Sequence, residues 1–263
     1  MDAESILNKL YLSRLDANKE IEHPPILLNV VEQSATSFYY KPIFSLGDLS
    51  LVQGRQKSKK TFFTSSICAA LLNYKSFDKL IAENNDGKTI AVFDTEQSDY
   101  FAQITNKRIA NIAGTNDFYY FALRDSEPKE RKEVIEFFLA QHKNKISYIL
   151  IDGIVDLLYD FNDLKECSEL VQWVMRITKV YGVHCTCILH ENMSDGKARG
   201  HIGTMLAQKA ETVIRVEKDK KQSNRSTITG VDTRGVGFTP FDIEIDSSGY
   251  PHLIDSEEKV KIF

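Results

Sequence analysis

The chain has 263 residues with 33 Lys and Arg against 37 Asp and Glu, a formal net charge of -4, so no global attraction draws it to nucleic acid or an anionic membrane. That length holds one large α/β domain or two small ones around a substantial core. No apolar run approaches the length of a membrane span, and the opening MDAESILNKLYLSRLD mixes acids and bases unlike a secretory leader; no membrane association and a cytoplasmic setting are expected.

Ile6, Leu7, Leu10, Leu12 and Leu15 recur at helical spacing and predict an amphipathic helix over 5–21, which would cap the domain or meet a neighbouring subunit. His23-Pro24-Pro25 ends it, because proline excludes the preceding residue from helical conformation. The expected division is therefore an N-terminal helix at 1–23 and one domain at 24–263. ILLNVV (26–31) and SFYYKPIF (37–44) read as short strands leading into a third, LSLVQ (49–53), which meets a polar turn at Gly54. A helix follows from Thr61, then a polar stretch ending in the turn signal Asn85-Asp86-Gly87.

TIAVFD (89–94) is a second buried strand, followed by a helix over 98–113 and a strand at 118–123. Pro128 suits a helix start, and the pattern is helical to His142. SYILID (147–152), a helix over 163–181 carrying the single Trp173, and VHCTCILH (183–190) complete the alternation. Cys185 and Cys187 share one side of that last strand and read as buried thiols; the four cysteines offer no disulfide framework and no paired zinc spacing. Polar, glycine-containing ENMSDGKARGHIGT (191–204) reads as a mobile loop, and the segments at 211–218, 225–231 and 241–246 as antiparallel strands extending one edge. The predicted fold class is α/β: a central, mainly parallel sheet flanked by helices, with antiparallel strands added at the C-terminal edge.

The strand, turn and helix around Gly54 give the context of a phosphate-binding loop. The pattern G-x-x-x-x-G-K-[ST] is met at Gly54, Lys60 and Thr61, with Lys59 in place of the second glycine. Such a loop works because successive backbone N–H groups and a helix N-terminus converge on phosphates, while the lysine reaches the terminal phosphates and the hydroxyl ligates Mg2+. If position 59 needs positive φ, lysine costs about 1 kcal/mol more than glycine there. The alternative is a solvated basic turn. In an open α/β sheet ligands lie beyond the carboxyl ends of strands, which directs attention to Asp94, Glu96, Asp152 and His190. Asp152 suits the metal opposite Thr61, or caps a turn; Glu96 suits a base that orients water, with Asp94 as the alternative. His190 either senses the terminal phosphate or bonds to backbone.

Five stretches, LVQGRQKSKKTFF, IAVFDTEQS, YILIDGIVDLLYD, TCILHEN and RGHIGTMLAQKAETVIRVEKD, together resemble the RecA-like P-loop ATPases over about residues 40–246. Within them the resemblance is to RepA-type plasmid replicative helicases and KaiC-like (AAA_25-like) proteins. The Lys-Ser-Lys-Lys-Thr form of the loop looks like a variant in ATPases of Bacteroidetes mobile elements. The resemblance implies a RecA-like ATPase domain at 24–263 whose loop, Gly54, Arg55, Gln56, Lys57, Ser58, Lys59, Lys60, Thr61 and Phe62, holds ATP, with Mg2+ at Thr61 and Asp152. It assigns Glu96 as the catalytic glutamate and His190 to the sensor position. It also implies ATP held between subunits of a hexameric ring or filament, completed by a basic residue of the next subunit. Lys218, Lys220, Arg225 and Arg234 are the candidates and Arg234 the choice, while Lys220 and Lys221 also suit a solvated hairpin. Lys197, Arg199 and His201 suit a loop that follows the phosphates of single-stranded DNA without reading sequence, although Asn192 and Arg199 equally suit nucleotide or protein. The expected function is an ATP-hydrolysing motor acting on DNA in plasmid or mobile-element replication. The alternative is a nucleotide-dependent regulatory or assembly protein.

Overall fold

Four of the strands are buried along all or nearly all their length, and this is what makes the sheet the centre of the molecule. The computed structural model describes residues 2–73, 76–85, 87–191 and 200–256. Its elements in chain order are α1 (Ala3–Ser13), β1 (Ile26–Gln33), β2 (Phe38–Ser45), β3 (Leu49–Gly54), α2 (Lys60–Asn73), β4 (Ser76–Phe77), β5 (Leu80–Ala82) and β6 (Thr89–Asp94). There follow α3 (Asp99–Ala113), β7 (Tyr119–Ala122), α4 (Pro128–Gln141), β8 (Ile146–Asp152), a 3-10 turn (Ile154–Leu157), α5 (Leu164–Tyr181) and β9 (His184–His190). The last are α6 (Gly200–Lys209), β10 (Thr212–Lys218), β11 (Arg225–Thr233), β12 (Phe241–Ile245) and β13 (Pro251–Asp255).

The main sheet has the order β13-β12-β11-β10-β3-β9-β8-β6-β7. From β10 to β7 every pairing is parallel, and from β10 to β13 every pairing is antiparallel. Alternation along the central strands feeds two cores. Ile90, Val92, Tyr148, Leu150 and Ile188 face the layer that contains α2 and α3. Ala91, Phe93, Ile149, Ile151, Cys185 and Cys187 face α4, α5 and α6. Each large apolar side chain so buried contributes about 1.5–3 kcal/mol. Helix α2 is buried almost throughout, and its small residues Ser65, Ser66, Ala69 and Ala70 let it lie between the sheet and its neighbours. Local signals set the ends of the others. Glu127 and Glu130 form a capping box at α4 with Pro128 in its first turn, and Gly114 and Gly182 close α3 and α5 at φ 66° and 63°.

The structure corrects several expectations. Helix α1 stops at Ser13 instead of continuing to 21, and none of its residues is buried. Strands β1 and β2 form an antiparallel pair in a separate four-stranded sheet, order β2-β1-β5-β4, whose short members β4 and β5 lie in the stretch read as a polar turn. Strand β10 runs parallel to β3, so the antiparallel extension starts only at β11. Residues 200–204 of the expected loop belong to α6, and residues 192–199 lie outside the described residues.

Beneath the sheet His184 is fully buried between Phe44, stacked at 4.2 Å, and Tyr148. Its Nδ1 lies 2.8 Å from the carbonyl of Ser45, which only accepts, so Nδ1 carries the proton and Nε2 accepts from Ser50 Oγ at 3.0 Å. Burial pushes this imidazole down to about 3. An unfolded histidine protonates near 6.5, so between those values the unfolded chain binds more protons and stability falls as pH drops. Urea unfolding across that window should show the loss, and His184→Asn should flatten its pH dependence while lowering stability at pH 7 by about 1–3 kcal/mol.

Candidate active site

Parallel register brings the chemistry to one edge. Gly54 at the end of β3 pairs with His190 at the end of β9, and Asp94 at the end of β6 pairs with Asp152 at the end of β8. Thr95 extends the alignment. Its N–H donates to the Asp152 carbonyl at 2.6 Å, and its hydroxyl accepts from Gly153 N at 2.9 Å.

The loop from β3 to α2 has the bends a phosphate loop needs. Lys57 and Lys59 adopt φ 61° and 70°, the left-handed region, so the position lacking a glycine does demand glycine-like torsion and lysine bears its cost. The Lys59 carbonyl accepts from the N–H groups of Phe62 and Phe63 and starts helix α2. Gly54 is needed for a different reason: a Cβ there would stand 2.3 Å from Val216 O and 2.7 Å from Ser58 Oγ. Lys60 is buried, and its ammonium donates to the carbonyls of Gly54 (2.9 Å) and Arg55 (3.0 Å), folded back inside its own loop. The Lys59 ammonium instead reaches Ser223 O at 2.7 Å, away from the loop interior. The Phe62 ring lies 3.9 Å beneath the Arg108 guanidinium, a packing contact with α3. Arg55, Gln56 and Lys57 are exposed.

At the strand ends, Lys60 Nζ lies 3.0 Å from His190 Nδ1, and His190 Nε2 lies 3.2 Å from Glu96 Oε1. An ammonium only donates and a carboxylate only accepts, so the arrangement selects the tautomer with its proton on Nε2. Lys60, His190 and Glu96 thus form a continuous donor chain. The hydrogen bond from His190 holds the Glu96 carboxyl below its ordinary range, so Glu96 is ionised near neutrality. The Thr61 hydroxyl is 3.4 Å from Asp152 Oδ2. Asp152 is buried, and burial first, then the neighbouring Asp94 and Glu96, push it up to about 8. Such a carboxyl, crowded by acids and facing a hydroxyl, is a hard-oxygen pair suited to a divalent cation. Ser58 Oγ, buried in the loop, has no hydrogen-bond partner among the described residues, which leaves it for an anion or water. Gln56, Glu96, Asp156, His190 and the backbone at Gly153 line a cleft of about 160 Å³ beside this group.

The geometry also decides between the two acids after β6. Asp94 is fully buried and occupied: Oδ1 accepts from the N–H groups of Glu96 and Gln97, and Oδ2 from Gln97 Nε2 and Tyr120 OH. It shapes the turn that presents Glu96, which is exposed. Glu191 was not singled out from the sequence. It accepts from Arg215 Nε at 2.6 Å and Gln53 Nε2 at 3.2 Å, and braces the foot of the loop. Only its adjacency to His190 in sequence hinted at this. Asp156, which accepts from the Thr95 hydroxyl, was also missed.

Other expected site residues lie elsewhere. Arg234 N donates to Glu211 O at the opposite end of β10, and its exposed guanidinium pairs with Asp48 at 3.0 Å and Lys209 O at 2.7 Å. The length of β3 separates it from the phosphate loop of its own chain, about 15–20 Å. His201 sits exposed in the first turn of α6, whereas Lys197 and Arg199 lie outside the described residues.

No family model matches the chain, and no curated protein matches it. Solved structures do. The chain is similar to the RadB recombinase at 19% identity and TM-score 0.57, over 81% of this chain and 93% of that one. It is similar to the ATPase domain of a replicative helicase at 10% identity and TM-score 0.58, over 80% of this chain and 85% of that one. The sheet order, the phosphate loop between β3 and α2 and these likenesses agree on one architecture: the chain has the fold of the RecA-like P-loop ATPases.

Proposed function

We propose that the protein binds and hydrolyses ATP and acts on DNA as a ring-forming motor of the RepA-type helicase class, in plasmid or mobile-element replication. The observation that carries the nucleotide part is the convergence of Lys60, Thr61, Asp152, His190 and Glu96 at one sheet edge within hydrogen-bond reach of one another. Lys60 exchanges its two loop carbonyls for phosphate oxygens, and Thr61 with Asp152 holds Mg2+. When bound, that ion supplies positive charge shared between phosphates. Glu96 orients and polarises the attacking water, and His190, bonded to both Lys60 and Glu96, reports occupancy to the base. The name of the RadB recombinase supports DNA as the substrate on which hydrolysis acts. Arg234 is exposed and remote from its own loop, the placement required of a residue that completes the site of a neighbouring subunit. Lys197, Arg199 and His201 are the proposed contacts to single-stranded DNA.

Lys59 in the place of glycine favours a second reading, a nucleotide-switched regulatory or assembly protein with slow turnover. Purified protein separates the two. Single-stranded DNA should stimulate ATP hydrolysis, Lys60→Ala should abolish nucleotide binding, and Glu96→Gln should bind ATP yet lose about 10²–10⁴-fold in turnover. Binding without hydrolysis by the wild type selects the regulator. Mixing inactive Arg234→Ala with inactive Glu96→Gln should recover part of the activity, because some sites then combine an intact Glu96 with a neighbour's intact Arg234; no recovery places Arg234 outside the site.

Asp152 supplies a measurement independent of turnover. Its free carboxyl holds a proton up to about pH 8 and must release it to face a cation. Calorimetry of Mg2+-nucleotide binding at pH 7 should therefore show proton release as a heat that depends on the buffer. The release should shrink above pH 8 and vanish in Asp152→Asn.

A further inference from the structure

The side chain that stands where the loop pattern has a glycine is engaged by another part of the chain. Lys59 donates to Ser223 O at 2.7 Å and to Arg225 O at 3.4 Å, both in the connection between β10 and β11. That connection is itself built. Asp219 Oδ1 accepts from Lys221 N (2.6 Å) and Gln222 N (2.7 Å), Arg225 N donates to Gln222 O (3.1 Å), and Asp219 N donates to Arg225 O (3.1 Å). The phosphate loop touches the same hairpin at its foot, where Gly54 lies directly against the Val216 carbonyl. Loop and hairpin are thus joined twice, by backbone packing at Gly54 and by the ammonium of Lys59.

A glycine would adopt φ 70° without strain but has no side chain to reach the hairpin, so the lysine is compensated by what it holds. The hairpin carries Lys218, Lys220 and Lys221, and burial, followed by Lys218, lowers the pKa of Lys59. Without the Ser223 and Arg225 carbonyls nothing offsets that concentration of positive charge at the tip. We propose that Lys59 is a positioning residue that latches the turn at 219–224 onto the phosphate loop, so that order in the turn and nucleotide affinity depend on each other. The proposal rests on the nucleotide reading of the loop.

Hydrogen exchange of the 219–226 amides, measured by mass spectrometry on the full chain, tests the latch without nucleotide. Lys59→Met and Lys59→Gly should speed exchange there about tenfold, and Lys59→Arg, which retains a cationic donor, should preserve most of the protection. Coupling is read from binding of a fluorescent ADP analogue. Lys59→Met, and Asp219→Ala, which loosens the turn without touching the phosphate loop, should each weaken binding about fivefold, and the double variant no more than the weaker single. Unchanged exchange in Lys59→Met, or effects that multiply in the double variant, overturns the proposal. Lack of nucleotide binding by the wild type overturns the nucleotide reading and the coupling together, while the exchange comparison still decides whether the latch exists.

Discussion

Burying both faces of a parallel sheet leaves polar chemistry one place to go, the ends of the strands. In this chain the constraint is met with little slack. Strands β6, β8 and β9 are apolar or small for most of their length and close on Asp94, Asp152 and His190. Register then decides which of those ends meet. Because Gly54 pairs with His190 and Asp94 with Asp152, a loop lysine, an imidazole and a carboxylate from three separate strand ends fall into one hydrogen-bonded line. A slip of one residue in β9 would turn His190 to the other face and break that line.

Much of this was legible in the sequence, because buried strands and amphipathic helices carry long, repeated signals. What was not legible was short or depended on a partner. Strands β4 and β5 have two and three residues, too few for a period, and are held by pairing with β1 and each other. Helix α6 begins with Gly200, His201, Ile202 and Gly203, a composition that reads as loop; Gly200 stands at φ 69° beside Phe161, and buried Ile202 and Leu206 secure the helix. The direction of β10 is set by its pairing with β3, which local pattern does not encode. The choice between Asp94 and Glu96 also lay beyond sequence: it needed Tyr120, from β7, closing on the first of them.

Two polar groups buried away from the strand ends follow a different logic. His184 is neutral, bonded at both nitrogens and stacked on Phe44, so it adds specificity to the core beneath β2 and β3 without carrying charge. Glu191, one residue past His190, remains close to Arg215 and Gln53 and fixes the loop from below. Adjacent residues in the chain thereby serve opposite ends of the same device, one directed to the reacting groups and the other to the scaffold.

The glycines of the phosphate-loop pattern are therefore of two kinds. The sixth position needs a torsion, which a lysine can adopt at a cost of about 1 kcal/mol, and here a lysine does. The first needs empty space, because any Cβ would be driven to 2.3 Å from the Val216 carbonyl, and no side chain removes that collision. A motif search that weighs both glycines equally discards chains like this one. A pattern that keeps the first strict and opens the sixth to lysine retains them, and it should be paired with a strand-end aspartate and histidine to hold its selectivity.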